Sequence, residues 1–510
     1  MFRGIKRAEG HKMAVSGSAN PQEHWSGRAA FILAAVGSAV GLGNLVRFPY
    51  VAGETGGGAF VLFYLVCILF IGLPVLCAEL MIGRRGGGSA VAAIARLSKS
   101  EGKSGIWTIV GWLGMISTFL ILTFYSVLAG WVLHFVLLSI GDLAGAIGEN
   151  GLGAISSPAF EAMSKDDISS QLGELLTQPV RMIIMHGIFI IVTIAIVMRG
   201  IKGGIEVAAK VLMPIFFILL LALTVSSLIN GDAGAGFAFL FQPDFEKFGA
   251  ALSDGSILLD AIGQAFFSLS LGSAMMITYG LYLSREDQIP GAARAVAFAD
   301  TSVALIAGLA IFPIVFAAGL NEAAGFSLLF NSLPLAFHQL PFGGIFAIAF
   351  FIMTLFAALT SSIALLEVTV AIADGDVDVD PAKRDRRRVQ GAIVIGLIAF
   401  GIGVANALSQ VSGVETFFNT WHPLDFIPLF EGLVLLDLID QLTANILLPL
   451  GGFLTAIFAG WVVSGSAARE ELNFNSERTF KIWRFLCRWV CPLFVGLVLV
   501  YAAIIAPMLG

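Results

Sequence analysis

Long apolar runs, each bounded by charged or turn-forming residues, recur along the whole chain. They predict helices at about 28–53, 58–83, 106–140, 180–199, 205–229, 256–283, 292–319, 343–373, 389–408, 433–463 and 479–506. Each run reaches the ~20 residues that cross a hydrocarbon core ~30 Å thick. A segment at that depth must satisfy its own backbone, so the runs are helices and not open sheets. The third is longer than a bilayer requires, which implies tilt or protrusion. Two runs are interrupted where interruption is costly: the first by GSAVGLGNLVRFPY at 37–50, the sixth by GQAFFSLSLGS at 263–273.

The composition of the 510 residues, 57% hydrophobic and 13% charged, excludes an ordinary soluble domain, which carries about 25% charged residues. Lysine and arginine separate the two sides. Arg3, Lys6 and Arg7, Arg84 and Arg85 with Lys99 and Lys103, Arg199 with Lys202, Arg285 with Arg294, the run 383–388, and Arg469 with Arg478 alternate onto one side. The opposite loops are acidic or neutral. By the positive-inside rule the amino terminus is cytoplasmic and, with an odd count, the carboxyl terminus extracytoplasmic in the cell (plasma) membrane. Cys67, Cys77, Cys487 and Cys491 lie in or beside apolar runs and read as packing residues without a disulfide framework. No HExxH, GxSxG or P-loop is present, so the chain does not read as an enzyme, and nothing in it points to nucleic acid.

The two interruptions fall at matching places in two sets of five helices. Such a pair marks the inverted repeats of transporters, in which half-helix ends and unwound carbonyls converge near mid-bilayer. The domains expected are a cytoplasmic tail at 1–27, a first repeat at 28–229, an extracellular loop at 230–255, a second repeat at 256–463, and a cytoplasmic loop with an eleventh helix at 464–510.

The chain resembles the neurotransmitter:sodium symporter family over about 22–465. The resemblance rests on GLGN-x-x-RFPY at 41–50, GGGAF at 56–60, Tyr125 six residues before Trp131, RGIKGGIE at 199–206, GQAFFSLSLG at 263–272 and ALTSSIA at 358–364. It implies an all-α integral membrane protein with a leucine-transporter-type 5+5 inverted fold, discontinuous helices one and six, and alternating-access symport. The expected cargo is sodium, as two ions, with a small-molecule neutral L-amino acid of hydrophobic or aromatic character. A glycine-like zwitterion, an osmolyte or γ-amino acid, and a sodium-dependent receptor without net transport are the alternatives. The expected surroundings are a lipid bilayer and a monomer or homodimer.

The resemblance also carries site residues. One sodium site would use Ala39, Asn44, Ser268 and Asp300 together with the substrate carboxylate. The other would use Gly37, Val40, Ala357, Thr360 and Ser361; residues 357, 360 and 361 share a helical face, although Thr360 and Ser361 could instead bond back to their own helix. The substrate pocket would comprise Ser38, Ala39, Leu42, Gly43, Ile121, Tyr125, Phe267, Ser268, Ser270, Ser273, Ser361 and Leu365. The Leu42 and Gly43 amides, at a half-helix start, suit a carboxylate. Glycine at 41, where monoamine carriers hold aspartate, argues for an amino acid. Ser273, in place of a large aromatic, and Ser38, in place of asparagine, imply a roomier or a more polar pocket.

Asp300 stands where the family often carries asparagine, and Ala304 where chloride-dependent members use serine. A fixed carboxylate near Tyr64 and Gln264 implies that chloride is not required. Arg47 and Asp440 would form the outer gate. Trp25, Tyr282 and Asp374, or Asp376 by one shift, would form the inner one, with Gln22 or Arg28 in doubt as the basic partner. Gly204 and Pro214 would let helix five unwind as a release path. Glu79 is expected to accept from amides freed in helix one.

Overall fold

A computed structural model describes residues 25–243, 246, 249, 256–320, 328–373 and 381–501. Nine helices among the described residues are long and apolar enough to cross a membrane. The first interrupted run is a bent pair, α1 (Arg28–Ala39) and α2 (Gly43–Glu54), at 54°. Helices α3 (Gly58–Gly86), α4 (Ala90–Ser100), α5 (Thr108–Asn150), α6 (Pro179–Val197) and α7 (Glu206–Asn230) follow. The second interrupted run is α8 (Ser256–Ser268) and α9 (Met275–Leu281). Helices α10 (Ile289–Ala317), α11 (Gly343–Ala373), α12 (Pro381–Ser409), α13 (Leu435–Val462) and α14 (Glu477–Val500) complete the chain.

Both breaks fall where expected but are narrower than the expected intervals. α1 runs through Gly37 to Ala39, so its break is confined to 40–42, and α2 opens with a wide π-turn at Gly43–Arg47. The second break covers 269–274 rather than 263–273. Apolar side chains on either flank keep the helical pattern going until glycine or strained backbone stops it. The third expected segment is the 43-residue α5, ten residues longer at its far end than the apolar run suggests. Helix five is wound throughout: a π-turn at Ile201–Ile205 leads into α7, which carries Pro214 without breaking. The expected unwinding between Gly204 and Pro214 is therefore not the conformation here, because Glu206 ties this end down. Its carboxylate accepts from the Ser26 backbone amide at 3.0 Å, the Ser26 hydroxyl, and Lys210 at 2.5 Å.

α1 packs against α7, α10 and α11, and α11 lies along α5. α8 packs on the first half of α3, while α9 packs on its second half. The two breaks therefore meet at the centre of the bundle. Asn44, Glu79, Gln264, Ser268, Asp300, Thr360 and Ser361 are buried there, in a region where polar groups persist only when partnered or functional.

Candidate functional site

The α1–α2 break releases amides and carbonyls that a continuous helix would pair. The Leu42 amide donates to the Tyr125 hydroxyl at 3.2 Å, and the Gly41 amide to Asn44 Oδ1 at 3.3 Å. The Gly43 amide makes no hydrogen bond to a described residue. On the carbonyl side, Ser361 Oγ lies 3.5, 3.4 and 3.2 Å from the oxygens of Gly37, Ser38 and Val40. One hydroxyl has one proton, so these three acceptors cannot all be served by it. They form a concave set of neutral oxygens suited to a hard cation. Thr360 Oγ1 stands 3.1 Å from the carbonyls of both Phe356 and Ala357, the backward bonding left open above, whereas Ser361 reaches across to α1.

The second polar cluster lies on the other side of the break. Asn44 Nδ2 donates to Asp300 Oδ1 at 2.9 Å and to Ser268 Oγ at 3.0 Å. Ser268 Oγ donates to Asp300 Oδ2 at 2.6 Å, and the Tyr64 hydroxyl to Ser268 Oγ at 3.2 Å. Gln264 Nε2 donates to the Gly43 carbonyl at 2.9 Å. Asp300 thus has no basic partner in this cluster, and its charge is held by neutral donors.

Between the clusters lies a small cavity lined by Ser38, Ala39, Leu42, Gly43, Ile121, Tyr125, Phe267, Ser270, Ser273, Ser361 and Leu365. Ser268, expected on this wall, is absent from it because its hydroxyl turns away to Asp300. Gly41, Met275 and Leu448 also line it. Met275 and Leu448 are apolar residues within apolar runs and carry no sequence signal. Gly41, singled out in the sequence for the aspartate it replaces, leaves room here that a side chain would fill: a Cβ would lie 2.6 Å from Ser361 Oγ and 2.7 Å from the Tyr125 hydroxyl.

Protein groups hold the second break open. Gly272 has a φ of 76°, and its amide donates to Glu79 Oε1 at 2.7 Å. Glu79 therefore serves helix six, not helix one as expected, because the second half of α3 packs on α9. Ser270 and Ala274 also have positive φ, at 55° and 59°, a strained conformation for non-glycine residues that costs ~1–3 kcal/mol each and clusters at functional sites.

Phe267 covers the cavity, with the Arg47 guanidinium 5.2 Å above its ring. Arg47 and Asp440 form no direct ion pair, although Asp440 lies within electrostatic reach. On the opposite side, the Trp25 indole donates to the Tyr279 carbonyl at 3.4 Å, and the Trp25 amide to the Tyr282 carbonyl at 3.3 Å. Tyr282 donates to Glu367 Oε1 at 3.0 Å, and Glu367 forms a buried, two-pronged ion pair with Arg388. This pair joins α11 to α12. Asp374, Asp376 and Gln22 lie outside the described residues. Gly204 sits against the Ile196 carbonyl, where an added Cβ would approach to 2.0 Å, so its glycine serves the α6–α7 turn.

The match to known proteins spans nearly the whole chain. Residues 22–171 and 160–508 match the pattern of the "Sodium:neurotransmitter symporter family". A sodium-dependent transporter of Bacillus subtilis, YhdH, is 35% identical over 93% of this chain and 96% of its own. Another from Haemophilus influenzae is 33% identical over 93% of this chain and 96% of its own. The crystal structure of MhsT in complex with L-phenylalanine aligns with a TM-score of 0.80 at 39% identity, covering 94% of this chain and 100% of that one. The chain therefore belongs to the sodium:neurotransmitter symporter family and is a sodium-dependent membrane transporter, not an enzyme.

Proposed function

We propose that the protein couples inward movement of two sodium ions to uptake of a neutral, hydrophobic or aromatic L-amino acid. The observation that carries this reading is the α1–α2 break. It presents the Leu42 and Gly43 amides and the Tyr125 hydroxyl to a cavity flanked by two oxygen clusters. An amino acid's carboxylate would accept from these donors at the positive end of a half-helix. One of its oxygens would face the Asn44, Ser268 and Asp300 cluster, so that ion and solute complete each other's site. Such coupling is reciprocal. Turning the Asn44 amide by half a rotation presents its oxygen to the ion beside Asp300.

The side-chain end of the cavity supports a large apolar substrate. The Ser38 hydroxyl donates to the Ala35 carbonyl at 2.9 Å, and the Ser273 hydroxyl to the Ser270 carbonyl at 2.5 Å. These serines enlarge the cavity without offering it a free donor, and Ile121, Met275, Leu365 and Leu448 supply the apolar wall. That the neighbour MhsT is solved with L-phenylalanine supports the same reading. Two sodium ions crossing ~100 mV release about 4.6 kcal/mol, enough to concentrate such a solute by more than a thousandfold.

The Asp300 carboxylate supplies the negative charge beside the first ion, so transport proceeds without chloride. The cycle alternates between opening at Arg47–Asp440 and opening at the Trp25, Tyr282 and Glu367–Arg388 assembly, with the amino terminus on the cytoplasmic side. In proteoliposomes, labelled phenylalanine, leucine or tryptophan accumulates when sodium is outside and continues when gluconate replaces chloride. Binding without accumulation would leave the receptor reading, preference for glycine would remove the large-substrate reading, and loss of uptake in gluconate would remove the role given to Asp300.

A further inference from the structure

A groove with no part in the transport site runs down the outer face of α3, between the start of α10 and the start of α14. Its floor is built, not loose: the Trp483 indole donates to the Pro74 carbonyl at 3.0 Å, and the Cys487 thiol contacts the same oxygen at 3.7 Å. Its rim is apolar and open. Leu69, Phe70 and Ile482 are 54%, 45% and 51% exposed, on helices that cross the bilayer, so this rim faces acyl chains.

One cation interrupts the apolar lining. Arg294, in the second turn of α10, lines the groove, is exposed, and makes no hydrogen bond or ion pair with a described residue. Two arginines nearby on α3 are occupied. Arg84 donates to Glu471 and to the Ser284 and Asp287 carbonyls, and Arg85 pairs with Glu470 and Glu471. An unpaired guanidinium beside a lipid-facing groove is complementary to a phosphodiester whose tail lies along that groove. The loops at this end are the arginine-rich ones, which by the positive-inside rule meet the leaflet holding anionic lipid.

We propose that this groove binds one anionic phospholipid, with its phosphate on Arg294 and one acyl chain along Leu69, Phe70, Leu73, Ile482 and Leu486. Free phosphate would gain nothing from the apolar wall, and a zwitterionic headgroup brings its own ammonium to offset the arginine. Trp483 lies in the groove and reports occupancy directly. The full chain is placed in mixed micelles with acyl-brominated phosphatidylglycerol or phosphatidylcholine, and tryptophan quenching is followed against mole fraction. Phosphatidylglycerol should half-quench at about five-fold lower mole fraction, the effect of one basic residue near anionic lipid. The difference should vanish in Trp483→Phe, fall to nothing in Arg294→Gln and persist in Arg294→Lys. Equal quenching by the two lipids in the unaltered protein overturns the proposal without any variant. So does a preference that survives Arg294→Gln, or one abolished by inorganic phosphate at physiological ionic strength.

Discussion

The two interrupted helices leave different accounts of their freed backbone. In the α8–α9 break, Leu269, Ser270 and Leu271 donate to carbonyls of the preceding turn, and Gly272 donates to Glu79. The hydroxyl of Thr118 donates to the Ser273 carbonyl. That break is closed by protein groups and held in a strained shape. In the α1–α2 break, the Gly43 amide has no described partner, and the Gly37 and Val40 carbonyls share one hydroxyl proton, while the Ser38 carbonyl also accepts from the Ser270 hydroxyl. The bilayer interior punishes unpaired polar groups in both helices alike. On the function proposed above, cargo completes only the first, with helix six as the frame and helix one as the receptor.

Glu79→Ala tests the frame and should have the largest effect. It leaves the Gly272 amide buried and unpaired, which costs about 2–3 kcal/mol of fold stability. The drop in unfolding midpoint should be the same with and without sodium and amino acid; a drop seen only with ligand would make helix six a receptor as well. Tyr125→Phe tests the receptor. Loss of a hydrogen bond to a carboxylate costs about 1.5–3 kcal/mol, so amino-acid affinity should fall by ten-fold or more; ligand-free stability should fall as well, by about 1–3 kcal/mol, because the buried Leu42 amide loses its acceptor. Isothermal titration in saturating sodium measures this, and an unaltered affinity would remove Tyr125 from the carboxylate site. Ser361→Ala should have the smallest effect. One neutral ligand oxygen contributes ~1 kcal/mol, so half-saturation in sodium should rise about five-fold, with amino-acid selectivity unchanged in competition uptake.

These differences explain what the sequence could and could not reveal. Glycine, asparagine and arginine inside an apolar run are visible because lipid rejects them, so both breaks were legible, as were Tyr125, Asn44, Asp300 and Ser361. The partner of Glu79 was not legible, because α3 passes both breaks and only packing decides which half it serves. The Glu367–Arg388 pair was hidden for a related reason. Arg388 closes a run of charges at 383–388 that reads as a solvated loop, and Glu367 sits in an apolar run; the packing of α12 on α11 brings them together. That pair is a buried salt bridge on the Trp25 and Tyr282 side of the cavity, formed without the residue at Gln22.

The central claim is that sodium and an amino acid fill the helix-one break together. The most direct measurement is the unfolding midpoint of the detergent-solubilised protein against each of the twenty amino acids, in sodium and in potassium. A ligand at 100 times its dissociation constant adds about 2.7 kcal/mol. The account predicts a shift for neutral hydrophobic or aromatic amino acids in sodium that exceeds the sum of the two separate shifts and disappears in potassium. Equal shifts in the two cations would contradict it.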